Sequence, residues 1–155
     1  MASITGPGII EIPDLGITEL IFRGLDHNPD RAALVDGPTG ASLTARQLRS
    51  RIEHLAGGLR AAGVGPGTVI AIFAPNMPDY ATVFHAAALC GATLTTVNPT
   101  YTAHELTHQL QDSGASWLFS LEALRPVADE AARAAGITRI TLMDSGLDAL
   151  MGPPL

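Results

Sequence analysis

Apolar and polar residues alternate along this chain with two distinct periods, and the switches between them predict its elements. Ile17, Leu20, Ile21 and Leu25 fall at helical spacing before HNPD at 27–30 imposes a turn, which predicts a first short helix. Ala33, Leu34 and Val35 read as a brief strand, and DGPTG at 36–40 is a hairpin-type turn leading into Ser42 and Leu43. Thr44 followed by Gln47 has the form of a capping box, and Leu48, Ile52, Leu55, Leu59 and Ala62 then recur every three or four residues up to Gly63. The spacing predicts a long amphipathic helix.

Beyond GVGPG the pattern becomes a continuous apolar run, Val69 to Phe73, the form taken by a strand buried on both faces of a parallel sheet. Asn76 is positioned to cap a helix with Pro78 and Asp79 in its first turn, which runs through VFHAAALC to Gly91. A strand LTTV at 94–97, a loop NPTY and a helix containing HELTH follow. Next come a strand SWLFS at 116–120, a helix through LRPVADEAARAAG broken near its start by Pro126, and a strand RITLM at 139–143. Strands separated by single helices imply right-handed crossovers, so the fold class is α/β with a mainly parallel sheet. The chain reads as one domain of 1–155, with an extended arm over 1–16 and a tail over 147–155.

Composition narrows the possibilities. Of 155 residues, 46% are hydrophobic and 15% charged, against roughly 25% charged in ordinary globular chains; part of this surface is expected to be covered by protein. A formal net charge of -6 and the absence of any Lys/Arg cluster argue against nucleic acid as a partner. No apolar run approaches a membrane span, and no positive stretch precedes an apolar one at the N-terminus. Cys90, the single cysteine, cannot form an internal disulfide and reads as a small buried hydrophobe, so a cytoplasmic location is expected.

Several stretches resemble reactive motifs. HELTH at 104–108 matches H-E-x-x-H, in which two histidines one helical turn apart bind Zn²⁺ while the glutamate activates a water. Here Ala103, Leu106 and Leu110 form the apolar stripe, so His104 and His108 point away from the core with Gln111. Thr102 and Glu105 form a capping box that already uses the glutamate. The third ligand is also missing: Leu110 and Gly114 stand where the metzincin continuation requires Gly and His, and Glu130, on a separate helix, has no sequence support for convergence. GVGPGT at 63–68 follows a helix and precedes a strand, the reverse of the order in which loop amides converge on a phosphate. His54 and His85 read as solvated or packed, and Trp117 with Phe119 as core. In open α/β sheets ligands bind beyond the C-terminal ends of strands, which singles out Asn76, Asn98 and Tyr101 in the loops APNMPD and NPTYT, although both asparagines have structural roles there.

The order of segments resembles the adenylate-forming enzymes. SLTARQL at 42–48 is similar to their first core motif, L-T-[SY]-x-E-L, with Ala45 in place of the aromatic residue and Gln47 in place of the acid. The stretch from GVGPGT to SWLFS resembles the N-terminal region of acyl-CoA synthetases of the 4-coumarate and medium-chain fatty-acid branch. LCGATLTTVNP at 89–99 is similar to the second core motif, MDSG at 143–146 falls at a closing strand and loop, and Thr102, Glu105 and Leu106 keep the family's T-x-x-E-L pattern. The resemblance covers residues 17 to about 146.

The resemblance implies a partial N-terminal portion of the large domain of a two-step ligase. In the family a carboxylic acid attacks ATP, with Mg²⁺, to form an acyl adenylate, and the thiol of coenzyme A then displaces AMP. The Ser/Thr/Gly-rich loop ending in Pro-Lys-Gly, the ribose-binding aspartate and the C-terminal lysine match no position here. The expectation is therefore no catalytic, cofactor-binding or metal residue and no cofactor for this chain alone, with the remainder of the ligase as its partner. Two rival expectations are a stand-alone α/β small-molecule-binding or interaction module and an H-E-x-x-H zinc hydrolase.

Overall fold

The computed structural model describes residue 8 and residues 12–155, so the expected arm over 1–16 lies largely outside the described residues. Four strands, β3 (Val69–Phe73), β4 (Thr93–Val97), β5 (Trp117–Ser120) and β6 (Arg139–Leu142), form a wholly parallel sheet in the order β4-β3-β5-β6. Helices α3 (Pro78–Leu89), α4 (Ala103–Ser113) and α5 (Arg125–Ala135) make the crossovers. Ahead of them lie α1 (Ile17–Asp26), a two-stranded antiparallel hairpin of β1 (Ala32–Val35) and β2 (Ser42–Thr44), and α2 (Ala45–Ala61).

The period of two within β3 organises the core. Ile70 and Ile72 point to one side of the sheet, where Trp117 and Phe119 of β5 meet Ile52, Leu55 and Leu59 of α2 and Val83 and Ala86 of α3. Ala71 and Phe73 point to the other, where Leu118 meets Leu106 and Leu110 of α4 and Ala128, Ala131 and Ala132 of α5. The small alanines let α5 lie close against α4. Trp117 and Phe119 stack with ring centroids 5.5 Å apart, and the indole N–H donates to Thr141 Oγ1 at 3.0 Å.

Both anticipated capping boxes are formed, Thr44 with Gln47 on α2 and Thr102 with Glu105 on α4. Three local expectations are corrected. Asn76 does not cap α3: Met77 occupies that position without a side-chain bond, because Pro78 at the first helical residue starts the helix there. Pro126 does not break a helix; it lies in the first turn of α5, where its missing N–H costs nothing, and a 3-10 turn at Glu122–Leu124 precedes it. The strand predicted over 139–143 ends at Leu142.

α1 forms where its periodicity places it, with a different face inward. Thr18, Phe22 and Leu25 turn to the core, whereas Ile17, Leu20 and Ile21 are 55%, 48% and 37% exposed. The Thr18 hydroxyl meets His85 Nδ1 at 3.2 Å and the His85 carbonyl at 3.3 Å. This contact fastens α1 to α3 and draws the polar Thr18 inside.

Candidate functional site

The parallel strands end together, and the loops leaving β3 and β4 enclose a cleft of about 440 Å³ lined by Ala74, Pro75, Asn76, Tyr80, Thr96, Val97, Asn98 and Pro99. This is the end of an open α/β sheet at which ligands are bound. Asn76 and Asn98 both line it, as the loops suggest. Asn98 is engaged locally: its Oδ1 accepts from the Thr100 amide at 3.1 Å and from the Thr100 hydroxyl at 2.9 Å, holding the turn before α4.

Tyr101 is not part of this cleft. It lines a separate groove along α4 with His104, Glu105, His108, Gln109 and Asp112. Between the two lies the turn closed by the Tyr101 amide donating to the Asn98 carbonyl at 3.1 Å. Tyr80 and Thr96 stand in the cleft instead, and the sequence reading missed both. Tyr80 sits in the first turn of α3 and shares the cleft wall with Thr96; burial pushes the phenol up from its ordinary value, and the Thr96 hydroxyl partly offsets this. A tyrosine in the opening turn of the helix that follows a buried strand was the available signal.

The lining side chains are amides, hydroxyls and hydrocarbon. They can orient a neutral polar group but supply neither a cation to neutralise phosphate nor a carboxylate to hold Mg²⁺. ATP with its metal does not fit this donor set.

The groove on α4 resolves the H-E-x-x-H match. Glu105 Oε2 accepts from the Thr102 amide and the Thr102 hydroxyl, each at 2.8 Å. The backbone bond first, then the hydroxyl, holds this carboxyl below its ordinary value. A general base working near neutrality needs the opposite shift. His104 and His108 are exposed, Glu130 is exposed on α5, and among the described residues no three His, Cys, Asp or Glu side chains converge on one point. The zinc-hydrolase alternative is not favoured: Thr102 and Glu105 make this stretch a helix start.

The remaining candidates are occupied in the same structural way. In the glycine-rich turn the Gly65 amide donates to Thr68 Oγ1 and the Thr68 amide to the Gly65 carbonyl, which leaves those amides turned inward. The Cys90 thiol is 1% exposed, donates to the Ala56 carbonyl at 3.3 Å, and is pushed up by burial, the condition of an unreactive cysteine. His54 Nδ1 lies 2.7 Å from the Ser50 carbonyl one turn back in α2. No helix among the described residues is long and apolar enough to cross a membrane.

The parallel sheet thus ends in a cleft lined by amide, hydroxyl and hydrocarbon side chains. Residues 21–150 match the AMP-binding enzyme family, and the chain belongs to that family. It is 38% identical over 104 residues to a Dictyostelium discoideum protein named "Probable 4-coumarate--CoA ligase 3", covering 67% of this chain and 19% of that protein. It is 32% identical over 138 residues to 4-coumarate--CoA ligase 5 of Oryza sativa subsp. japonica, covering 88% of this chain and 24% of the relative. The fold also superposes on a long-chain-fatty-acid-CoA ligase from Archaeoglobus fulgidus with a TM-score of 0.84 at 21% identity, over 99% of this chain and 34% of that one. The chain thus spans 19% and 24% of the length of these two curated relatives.

Proposed function

We propose that these residues build the first part of the large domain of an ATP-dependent carboxylate-CoA ligase and take no direct part in its chemistry. The observation that carries this reading is the strand-end cleft itself: it stands where the fold binds ligands, yet Asn76, Tyr80, Thr96 and Asn98 are its only side chains with hydrogen-bonding groups and none is charged. The family match over 21–150 and the share of each relative that is covered support the same division of labour. Acyl adenylation, Mg²⁺ binding and thioester formation with coenzyme A belong, in this proposal, to segments of the ligase other than these residues. The relatives' names, 4-coumarate--CoA ligase and long-chain-fatty-acid-CoA ligase, support an aromatic or fatty carboxylic acid as the substrate of the whole enzyme.

The test is carboxylate-dependent exchange of pyrophosphate into ATP by this polypeptide, across short, medium and long fatty acids and 4-coumarate. No exchange above background is expected. Exchange that rises with any one acid and is lost on heating the protein overturns the proposal.

A further inference from the structure

Two adjacent glycines, Gly57 and Gly58, stand in the middle of α2, where each costs the helix roughly 1 kcal/mol relative to alanine. Neither has the positive φ that would demand glycine. Their surroundings supply the reason. A Cβ on Gly57 would lie 1.7 Å from the Pro153 carbonyl oxygen, and one on Gly58 1.5 Å from that of Leu150. Both meet main chain, which has no side-chain freedom with which to yield. Gly152 is the reciprocal case, with a Cβ site 3.0 Å from the Gly58 nitrogen.

The missing side chains also uncover hydrogen-bond acceptors. In a helix the residue at i+4 overhangs the carbonyl of residue i, so bare glycines at 57 and 58 open the carbonyls of Glu53 and His54 to a second donor. Both are used: the Gly152 amide donates to the His54 carbonyl at 2.9 Å and the Leu155 amide to the Glu53 carbonyl at 3.1 Å. At the start of this segment Leu147 is 2% exposed within the α2 core, and Asp148 Oδ1 lies 3.1 Å from Arg51 of α2. The same guanidinium nitrogen reaches Asp79 in the first turn of α3 at 3.0 Å.

We propose that Gly57 and Gly58 form a groove on α2 built to receive main chain, and that residues 147–155 are a strap seated in it, with Arg51 as a latch shared between the strap and the start of α3. The segment that reads from sequence as a tail is thereby an integral layer over α2. Seating is an equilibrium of its own: the strap can lift while the sheet stays folded, because its bonds to α2 are made outside the strand ladder. Through Arg51 and Asp79 its position is felt at the α3 end from which Tyr80 reaches the strand-end cleft.

Native-state hydrogen exchange on the whole 155-residue chain tests this. In the wild type the amides of Gly152 and Leu155 are expected to exchange at least about tenfold more slowly than in an unstructured peptide. Gly58→Ala is expected to remove that protection while β3 and β5 amides keep theirs; Gly65→Ala, whose Cβ would meet nothing within 4 Å, is the matched control. Should Gly58→Ala fail to fold, Gly152→Val crowds the same seam from the strap side, its Cβ 3.0 Å from the Gly58 nitrogen with two methyl groups beyond it, and is expected to release the strap alone. Asp148→Asn is expected to give a smaller acceleration, since Asp148 is 79% exposed. Unprotected amides at 152 and 155 in the wild type overturn the proposal at once, as does protection that survives both clashing substitutions.

Discussion

Helices α2 and α4 begin alike and lie on opposite faces of the sheet. Each opens with a threonine whose hydroxyl receives the amide three residues on, while the residue there, Gln47 or Glu105, returns a bond to the threonine amide. They then diverge. α4 runs 11 residues to Gly114, whose φ of 67° suits glycine, and leaves one side to solvent as a groove. α2 runs 17 residues and is enclosed by the sheet, α3, the β1–β2 hairpin and the strap. One helix is specified by its own ends, and the other by what is laid across it. A motif search sees the first kind readily and misreads it when, as with HELTH, the capping residues happen to spell a metal signature.

The largest separation between the two helices is expected in core truncations. Ile52→Ala, at a position with no exposed surface on α2, should cost about 4 kcal/mol, and Leu106→Ala on α4 about 3 kcal/mol, because the enclosed α2 face is less able to collapse around a void. Urea unfolding of both variants checks this, and a clearly greater loss at Leu106 would reverse the picture of which face is enclosed. The shared start should erase the difference: Thr44→Ala and Thr102→Ala are each expected to lose about 1 kcal/mol in the same assay. A cap loss confined to one helix would show that the boxes are not equivalent.

Acidification should act on the two faces in separate windows. His85, behind α2 on α3, is lowered from its ordinary 6.5 by burial, so below pH 6.5 the unfolded chain takes up the proton first. Its stabilising share is present above that pH and is lost as pH falls toward the folded value. Glu105 is likewise lowered from its ordinary 4.5, so its share is present above pH 4.5 and is lost below it. Urea midpoints measured from pH 7.5 to 3.5 should therefore lose the upper step in His85→Gln and the lower step in Glu105→Gln; unchanged profiles in both would refute these assignments. The smallest effect is expected at the histidines of the α4 groove: His104→Ala and His108→Ala should each move stability by less than about 0.5 kcal/mol. A shift well beyond that, or one that appears only when Zn²⁺ is added, would reopen the question of a metal there.

Much of the architecture was legible because its signals are local. Period-two and period-3.6 runs, Thr-x-x-Gln and Thr-x-x-Glu starts and glycine stops are decided within a few residues, and they locate the four strands of the parallel sheet and the five α-helices among the described residues to within a residue or two, though not the two short 3-10 turns. The misses share a cause. Asn76 has the right chemistry for a cap, but Pro78 moved the start of α3 one residue past it. Tyr101 was grouped with Asn76 and Asn98 because it is close to Asn98 in sequence, whereas a turn of the backbone lies between the two and Tyr101 lines another groove. The apolar stripe of Ile17, Leu20 and Ile21 was a sound sign of a helix and a poor guide to which side faces inward, since the Thr18 contact with His85 holds the other face down.

The amino-acid sequence alone determined the elements, their alternation and hence a parallel α/β sheet, because each follows from residue types at short spacing. Tertiary structure alone decided the order β4-β3-β5-β6, the cleft wall shared by Tyr80 and Thr96 and the burial of residues 147–155 against Gly57 and Gly58. Those depend on which main-chain surfaces come together from positions about 16 to 100 residues apart, and a glycine reserved for such contact looks in the sequence like any other glycine.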